Sequence, residues 1–292
     1  MENGILGMPR RCFNLVVIVC IVGIVIGSFL DFQINVVLKN VNSIGAFFAS
    51  YGLYFSYCLY PAAGMCLYRG LKKKGYRKAG LALLIIGYFL AIYYTNNYSG
   101  SKLRALLGYK VGENVVYSIL SYLLIAVLYI WPMVVCNIVL DDSDADKLIA
   151  VGATILVAGI VSDNVNLWLK QVASRPRYKY LITLPDPMSE FRGWWQMVPY
   201  KAGSNDSFKS WPSGNMTIAA MMFSLPMLTD SLKRRSERKN YIAFVFACVF
   251  VLVYAYNRIH MTNHFLSDVC FGTLITYLIH AAIGCAFFSK DK

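Results

Sequence analysis

Eight apolar runs, at residues 12–30, 45–68, 79–97, 115–140, 148–169, 215–230, 241–257 and 264–288, leave this chain few ways to fold. A bilayer core takes about 20 apolar residues per helix, and helices satisfy their own backbone polar groups there. A soluble domain cannot hide so many runs. With 58% hydrophobic and only 15% charged residues, the chain lacks the polar exterior a soluble domain needs. The expected fold class is therefore all-α, a polytopic integral membrane helical bundle of about eight transmembrane helices. Residues 1–292 read as a single membrane domain, with N-terminal helices in 1–140. The first run follows Arg10 and Arg11 as a signal peptide would. It is too long for such a peptide's apolar region and lacks a small-residue cleavage site, so it reads as a retained helix.

The formal net charge of +13 could suggest nucleic acid, but its placement argues for topology. The 69–78 loop carries Arg69, Lys72, Lys73, Lys74, Arg77 and Lys78, and the 231–240 loop carries Lys233, Arg234, Arg235, Arg238 and Lys239. With eight helices these loops share a side with both termini, which bear Arg10, Arg11, Lys290 and Lys292. The positive-inside rule makes that side cytoplasmic. The long 170–214 connection and the 258–264 turn then face outside, and nucleic acid is excluded as a partner. The eight cysteines lie in or beside apolar runs with no CxxC pair and read as small buried hydrophobes. The acidic 141–146 stretch lacks the turn glycine of a calcium loop, Lys147 following it, and reads as a solvated loop. Trp194 and Trp195 read as an interfacial anchor or as the wall of a lipid entry.

Three polar clusters then fall on the outer face. Lys170, Arg175, Arg177 and Tyr178 leave the fifth helix; Ser210, Pro212, Ser213, Gly214 and Asn215 enter the sixth; Arg258, His260, His264 and Asp268 enter the eighth. Ionisable groups at such places are functional suspects because burying them is costly. Lys170, Arg177 and Arg258 supply positive charge suited to a phosphate dianion. Ser213 and the Gly214 backbone can cradle an anion at a helix start. His264 and Asp268, four apart, share one helical face. A carboxylate on one imidazole nitrogen leaves the other free to attack. Each cluster alone also has a plainer reading: cations snorkelling to headgroups, an ordinary helix start, a buried hydrogen bond.

Together the clusters resemble the three signatures of the type 2 phosphatidic acid phosphatase superfamily, which includes vanadium haloperoxidases and glucose-6-phosphatase. Lys170, six residues and Arg177 match the first, with Tyr178 in place of proline. Pro212–Ser213–Gly214–Asn215 resembles Pro-Ser-Gly-His, and Arg258, His264 and Asp268 meet the third in full. The resemblance implies that helices within 148–288 form a phosphatase-like core, with 170–214 as an extracytoplasmic loop. It implies a metal-independent phosphohydrolase needing no cofactor. His264 would be the nucleophile forming a phosphohistidine, with Asp268 orienting it. Lys170, Arg177, Ser213, Gly214 and Arg258 would hold the phosphoryl oxygens.

Asn215 departs from the pattern where the family's leaving-group acid stands. A carboxamide has no usable proton near neutral pH, and general acid catalysis is worth about 10²–10⁴-fold. Four explanations are open: a variant in which Asn replaced His, an acid borrowed from elsewhere with His260 nearest in sequence, a diphosphate substrate whose leaving group needs no acid, or a non-catalytic protein. The expected substrate is a lipid phosphate or diphosphate, with membrane lipids as the surroundings. The alternative is a lipid-phosphate binding or transport protein.

Overall fold

The structure, a computed structural model, describes residues 5–108, 115–198 and 206–288. Residues 199–205 of the long connection, and Lys290 and Lys292, lie outside the described residues. The described chain is helical without strands. In order come α1 (Arg10–Leu38), α2 (Ser43–Tyr51), α3 (Tyr54–Tyr57), α4 (Leu59–Lys73), α5 (Arg77–Leu106), α6 (Val115–Leu128), α7 (Ile130–Val139), α8 (Ala145–Ala173) and α9 (Tyr178–Leu181). After the connection follow α10 (Gly214–Ala220), α11 (Leu225–Asp230), α12 (Glu237–His260) and α13 (Leu266–Phe288).

Among the described residues, six helices are long and apolar enough to cross a membrane: α1, α5, Val115–Val139, Ala145–Leu181, α12 and α13. Their outward faces carry exposed large apolar side chains such as Leu15, Val22 and Phe29 on α1 and Val245, Val249 and Leu252 on α12. Only lipid can cover faces of that kind along whole helices, and the protein is an integral membrane protein.

The two remaining runs expected as whole helices, 45–68 and 215–230, are broken instead. The first folds as α2, α3 and α4, the second as α10, a 3₁₀ turn at Met221–Ser224 and α11. Proline explains where the breaks fall. Pro61 and Pro226 stand in the first turns of α4 and α11, and Pro132 does the same in α7 after the break at Tyr129. A proline lacks the N–H that would pair with the carbonyl four residues back, and is tolerated only at a helix start. The broken segments are also the most enclosed. Leu59–Leu67 and Met216–Ser224 are buried throughout. α4 packs on α5 and α8, and α10 packs on α8, α12 and α13.

Contacts at the helix ends fix the direction of each pass. At one end Arg69 pairs with Asp142, Lys74 with Asp146 and Lys147 with Asp230, and Leu140 bridges Leu232. Arg11 donates to Tyr241 there, and a Cβ on Gly7 would meet the Pro226–Met227 backbone. The acidic 141–146 stretch is exposed or half-buried, as expected of a solvated loop, and there it pairs with Arg69 and Lys74, while Asp144 caps α8. At the other end Asn257 donates to the Gly45 carbonyl (3.0 Å), Lys102 to Ser50 (2.7 Å), and the Lys179 N–H to the Thr262 carbonyl (2.9 Å). The two basic loops therefore share one end of the bundle, and the three polar clusters share the other. Both broken segments run from the cluster end to the basic end.

Candidate phosphate site

α8 delivers the first cluster. Lys170 lies in its last turn, buried, and its Nζ donates to the carbonyls of Lys209 (2.8 Å) and Pro212 (2.6 Å). The helix stops at Ala173 because Ser174 takes a left-handed φ of 36°, a conformation that ends helices by turning the backbone aside. The next residues thread between the second and third clusters. The Arg175 carbonyl accepts from the Ser210 N–H, and the Arg177 N–H donates to the Ser207 carbonyl.

The second cluster is the entry to α10. Ser213 is the N-cap, and its N–H donates to the Asp268 carbonyl (3.0 Å). This close approach needs Gly272 on α13, where a Cβ would collide with the Ser213 carbonyl. A Cβ on Gly214 would sit 3.1 Å from Asn166 Oδ1 and 3.4 Å from Lys170 Cε, so Gly214 faces the lysine. Asn215 follows, half-buried in the first turn.

The third cluster lies between α12 and α13. His264 is buried, and its Nδ1 is 2.8 Å from the Ser210 carbonyl oxygen. A carbonyl can only accept, so the proton is on Nδ1 and Nε2 carries a lone pair. Asp268 Oδ2 is 3.7 Å from Nδ1, beyond a hydrogen bond. The expected His264–Asp268 bond is therefore replaced by one to the backbone. Asp268 Oδ2 instead accepts from the Ser210 hydroxyl (2.5 Å) and the Phe265 N–H (2.9 Å), so carboxylate and imidazole hold the same serine from two sides. Burial pulls the His264 imidazole down to about 3, and Lys170 and Arg177 push the same way against Asp268. The ring is thus neutral at physiological pH.

The cations differ in their bonding. Arg258 is buried over the Tyr254 ring and donates from Nη2 to Asn257 (3.0 Å). Arg177 donates to the Asp206 carboxylate (2.7 Å) and carbonyl (2.9 Å). Burial alone would raise the Asp206 carboxyl, but Arg177 and Lys179 beside it hold it below the usual range. Arg258 Nε and the Ser213 hydroxyl are buried without a hydrogen-bond partner among the described residues. Buried donors of this kind are costly unless something accepts from them, and an oxyanion is a suitable acceptor. Among the described residues no three His, Cys, Asp or Glu are grouped to hold a metal ion.

Two residues look different from their sequence reading. His260 is no spare acid. Its Nδ1 meets the Leu38 carbonyl (2.9 Å) and its Nε2 meets Asn42 (3.1 Å), so both nitrogens serve the α1–α2 connection. Trp194 points inward, donating to Ser28 (2.9 Å) and packing on Phe271, whereas Trp195 is exposed.

The largest addition is Arg175. It is 2% exposed, and its guanidinium joins Asp268 (2.6 Å) to Asp31 of α1 (2.9 Å). Sequence reasoning placed Arg175 in the first cluster without a role and passed over Asp31. A signal existed: Asp31 is the one carboxylate in α1, set directly after the 12–30 apolar run and within the membrane-spanning helix, where a charge is rarely idle.

A neutral buried imidazole, with Lys170 and Arg177 near enough to act on its charge, thus lies at one end of a membrane bundle. Residues 147–291 match the PAP2 superfamily model, and through them the chain belongs to the PAP2 superfamily. That membership carries a phosphatase-type activity in general. No curated protein and no solved structure matches the chain.

Proposed function

We propose that this protein is a metal-independent lipid phosphate or diphosphate phosphatase working through a phosphohistidine on His264. The observation that carries the reading is the Nδ1 hydrogen bond to Ser210, which leaves Nε2 unprotonated in a ring whose charge Lys170 and Arg177 feel. In the first step the Nε2 lone pair attacks phosphorus and the bond to the leaving oxygen breaks with its electron pair. In the second, water attacks the phosphohistidine, giving inorganic phosphate and returning the lone pair to Nε2. Lys170, Arg177, Arg258 and the Ser213 hydroxyl bind the equatorial oxygens, whose charge grows in the transition state.

Asn215 sets the leaving group. It can hydrogen-bond a departing oxygen but cannot protonate it. A phosphate leaves as a stable anion without help, so lipid diphosphates are the favoured substrates, and lipid monophosphates turn over well once Asn215 is replaced by His. The basic end, by the positive-inside rule, faces the cytoplasm and the site faces outside. The same Asn215 favours the second reading, a lipid-phosphate binder or carrier that does not turn over.

The test is phosphate release in detergent with chelator, from lipid monophosphates, lipid diphosphates and a sugar phosphate, for the chain beside Asn215→His. Release from diphosphates by the unaltered chain supports the proposal. Tight lipid-phosphate binding with no release by either form puts the carrier reading first.

A further inference from the structure

The phosphatase region begins at residue 147, yet the candidate site is completed by a helix far outside it. On α1 the residues Gly23, Gly27, Asp31 and Asn35 succeed one another at intervals of four, so they form one face. That face lies against the start of α13. A Cβ on Gly27 would stand 2.8 Å from the Ser267 N–H nitrogen, an approach only glycine permits. The closeness brings two polar side chains of α1 onto the reacting residues. Asp31 Oδ1 accepts from the Ser267 N–H (2.9 Å), and Oδ2 accepts from the Ser267 hydroxyl and from Arg175 (2.9 Å). Arg175 also donates to Ser267 (2.9 Å) and Asp268 (2.6 Å). One turn further on, Asn35 Nδ2 donates to the backbone carbonyl of His264 itself (3.1 Å). Asp31 is 2% exposed and Asn35 is fully buried.

Two independent chains of bonds therefore run from α1 to His264, one to its imidazole and one to its backbone. One is Asp31 to Arg175 to Asp268 to Ser210, whose carbonyl takes the Nδ1 proton. The other is Asn35 to the His264 backbone. Aromatic rings confine Arg175 between them: its guanidinium lies 4.3 Å from the centroid of Phe265 and 5.6 Å from that of Phe191. A surface-type or purely adhesive role for Asp31 is a poor explanation. Two helices can be held together by apolar packing without the expense of burying three charges, and α1 already packs on α13 along its length.

We infer that Asp31 and Asn35 of α1 are positioning residues that aim the His264 ring, so that the N-terminal half of the chain is part of the site's working machinery. The inference rests on the phosphohistidine reading. Its signature is selective. Aim matters to a ligand that bonds Nε2 and is indifferent to one held only by the cations, since small misplacements of a reacting group are worth about 10²-fold.

The experiment uses the full chain in detergent and two probes, orthovanadate, which takes a ring nitrogen as an apical ligand, and inorganic phosphate. Affinities are measured by calorimetry for the parent, Asp31→Asn, Asn35→Ala and His264→Ala, with thermal unfolding of each. The expected result is that Asp31→Asn and Asn35→Ala each weaken vanadate about tenfold or more while phosphate affinity stays within about twofold. Asn35→Ala, which changes no charge, serves if Asp31→Asn unfolds. Vanadate affinity equal to the parent's in both variants overturns the inference and leaves the phosphohistidine reading standing. A parallel fall of vanadate and phosphate affinity with loss of folded protein also overturns it, assigning α1 a structural role only. If the parent and His264→Ala bind vanadate alike, the phosphohistidine reading fails and this inference fails with it.

Discussion

The two ends of the bundle spend the same residue types in opposite ways. At the basic end the Lys74–Asp146 pair is wet, 40% and 56% exposed, and the Arg69–Asp142 and Lys147–Asp230 pairs are part-buried. At the site end Arg175, Asp31 and Asp268 are at most 2% exposed. Exposed pairs contribute about 0–1 kcal/mol because water and salt screen them. Buried charges cost several kcal/mol each to desolvate, and their mutual attraction only roughly offsets this. The exposed charge of the basic end is thus carried at little cost, whereas the buried triad of the site end is costly to keep.

That contrast can be broken at the site end first. His264→Ala should abolish phosphate release even in an Asn215→His background; surviving turnover would return the site to a plain anion hole. Next in size, Asn215→His should raise release from lipid monophosphates about 10²–10⁴-fold, and far less from diphosphates. An equal gain on both would mean that the leaving group is not what Asn215 selects. Arg175→Gln leaves two buried carboxylates facing each other and should cost about 3–5 kcal/mol of stability in detergent unfolding. Lys74→Gln, at the basic end, should cost about 0–1 kcal/mol. Similar costs for the two would erase the distinction between the ends.

A separate effect concerns acid. His264 is neutral in the fold down to about 3, and unfolded histidine titrates near about 6.5. Between those values the unfolded chain binds a proton that the folded chain refuses, so stability is full above about 6.5 and is lost as pH falls toward 3. His264→Gln should therefore lose less stability than the parent between about pH 6.5 and about pH 5. Equal acid sensitivity would mean that the buried ring is charged after all.

Much of this molecule was legible in its residues. Apolar length determined the helices and the membrane, because lipid accepts little else. The parity of the basic loops determined which connections share an end, and spacing within the chain picked out Lys170, Arg177, Ser213, Gly214, Arg258, His264 and Asp268. Tertiary structure decided what spacing cannot express. It broke the 45–68 and 215–230 runs upstream of Pro61 and Pro226, places a sequence scan for hydropathy overlooks because both sides are apolar. It gave the His264 proton to the Ser210 carbonyl, since a backbone acceptor 54 positions away carries no sequence signature. It also brought Asp31 to Arg175 across 144 positions. Local patterns reveal which groups share a face of one helix, but only the packing of helices chooses which faces meet. The energy of a buried charge is settled there, by the partner it finds.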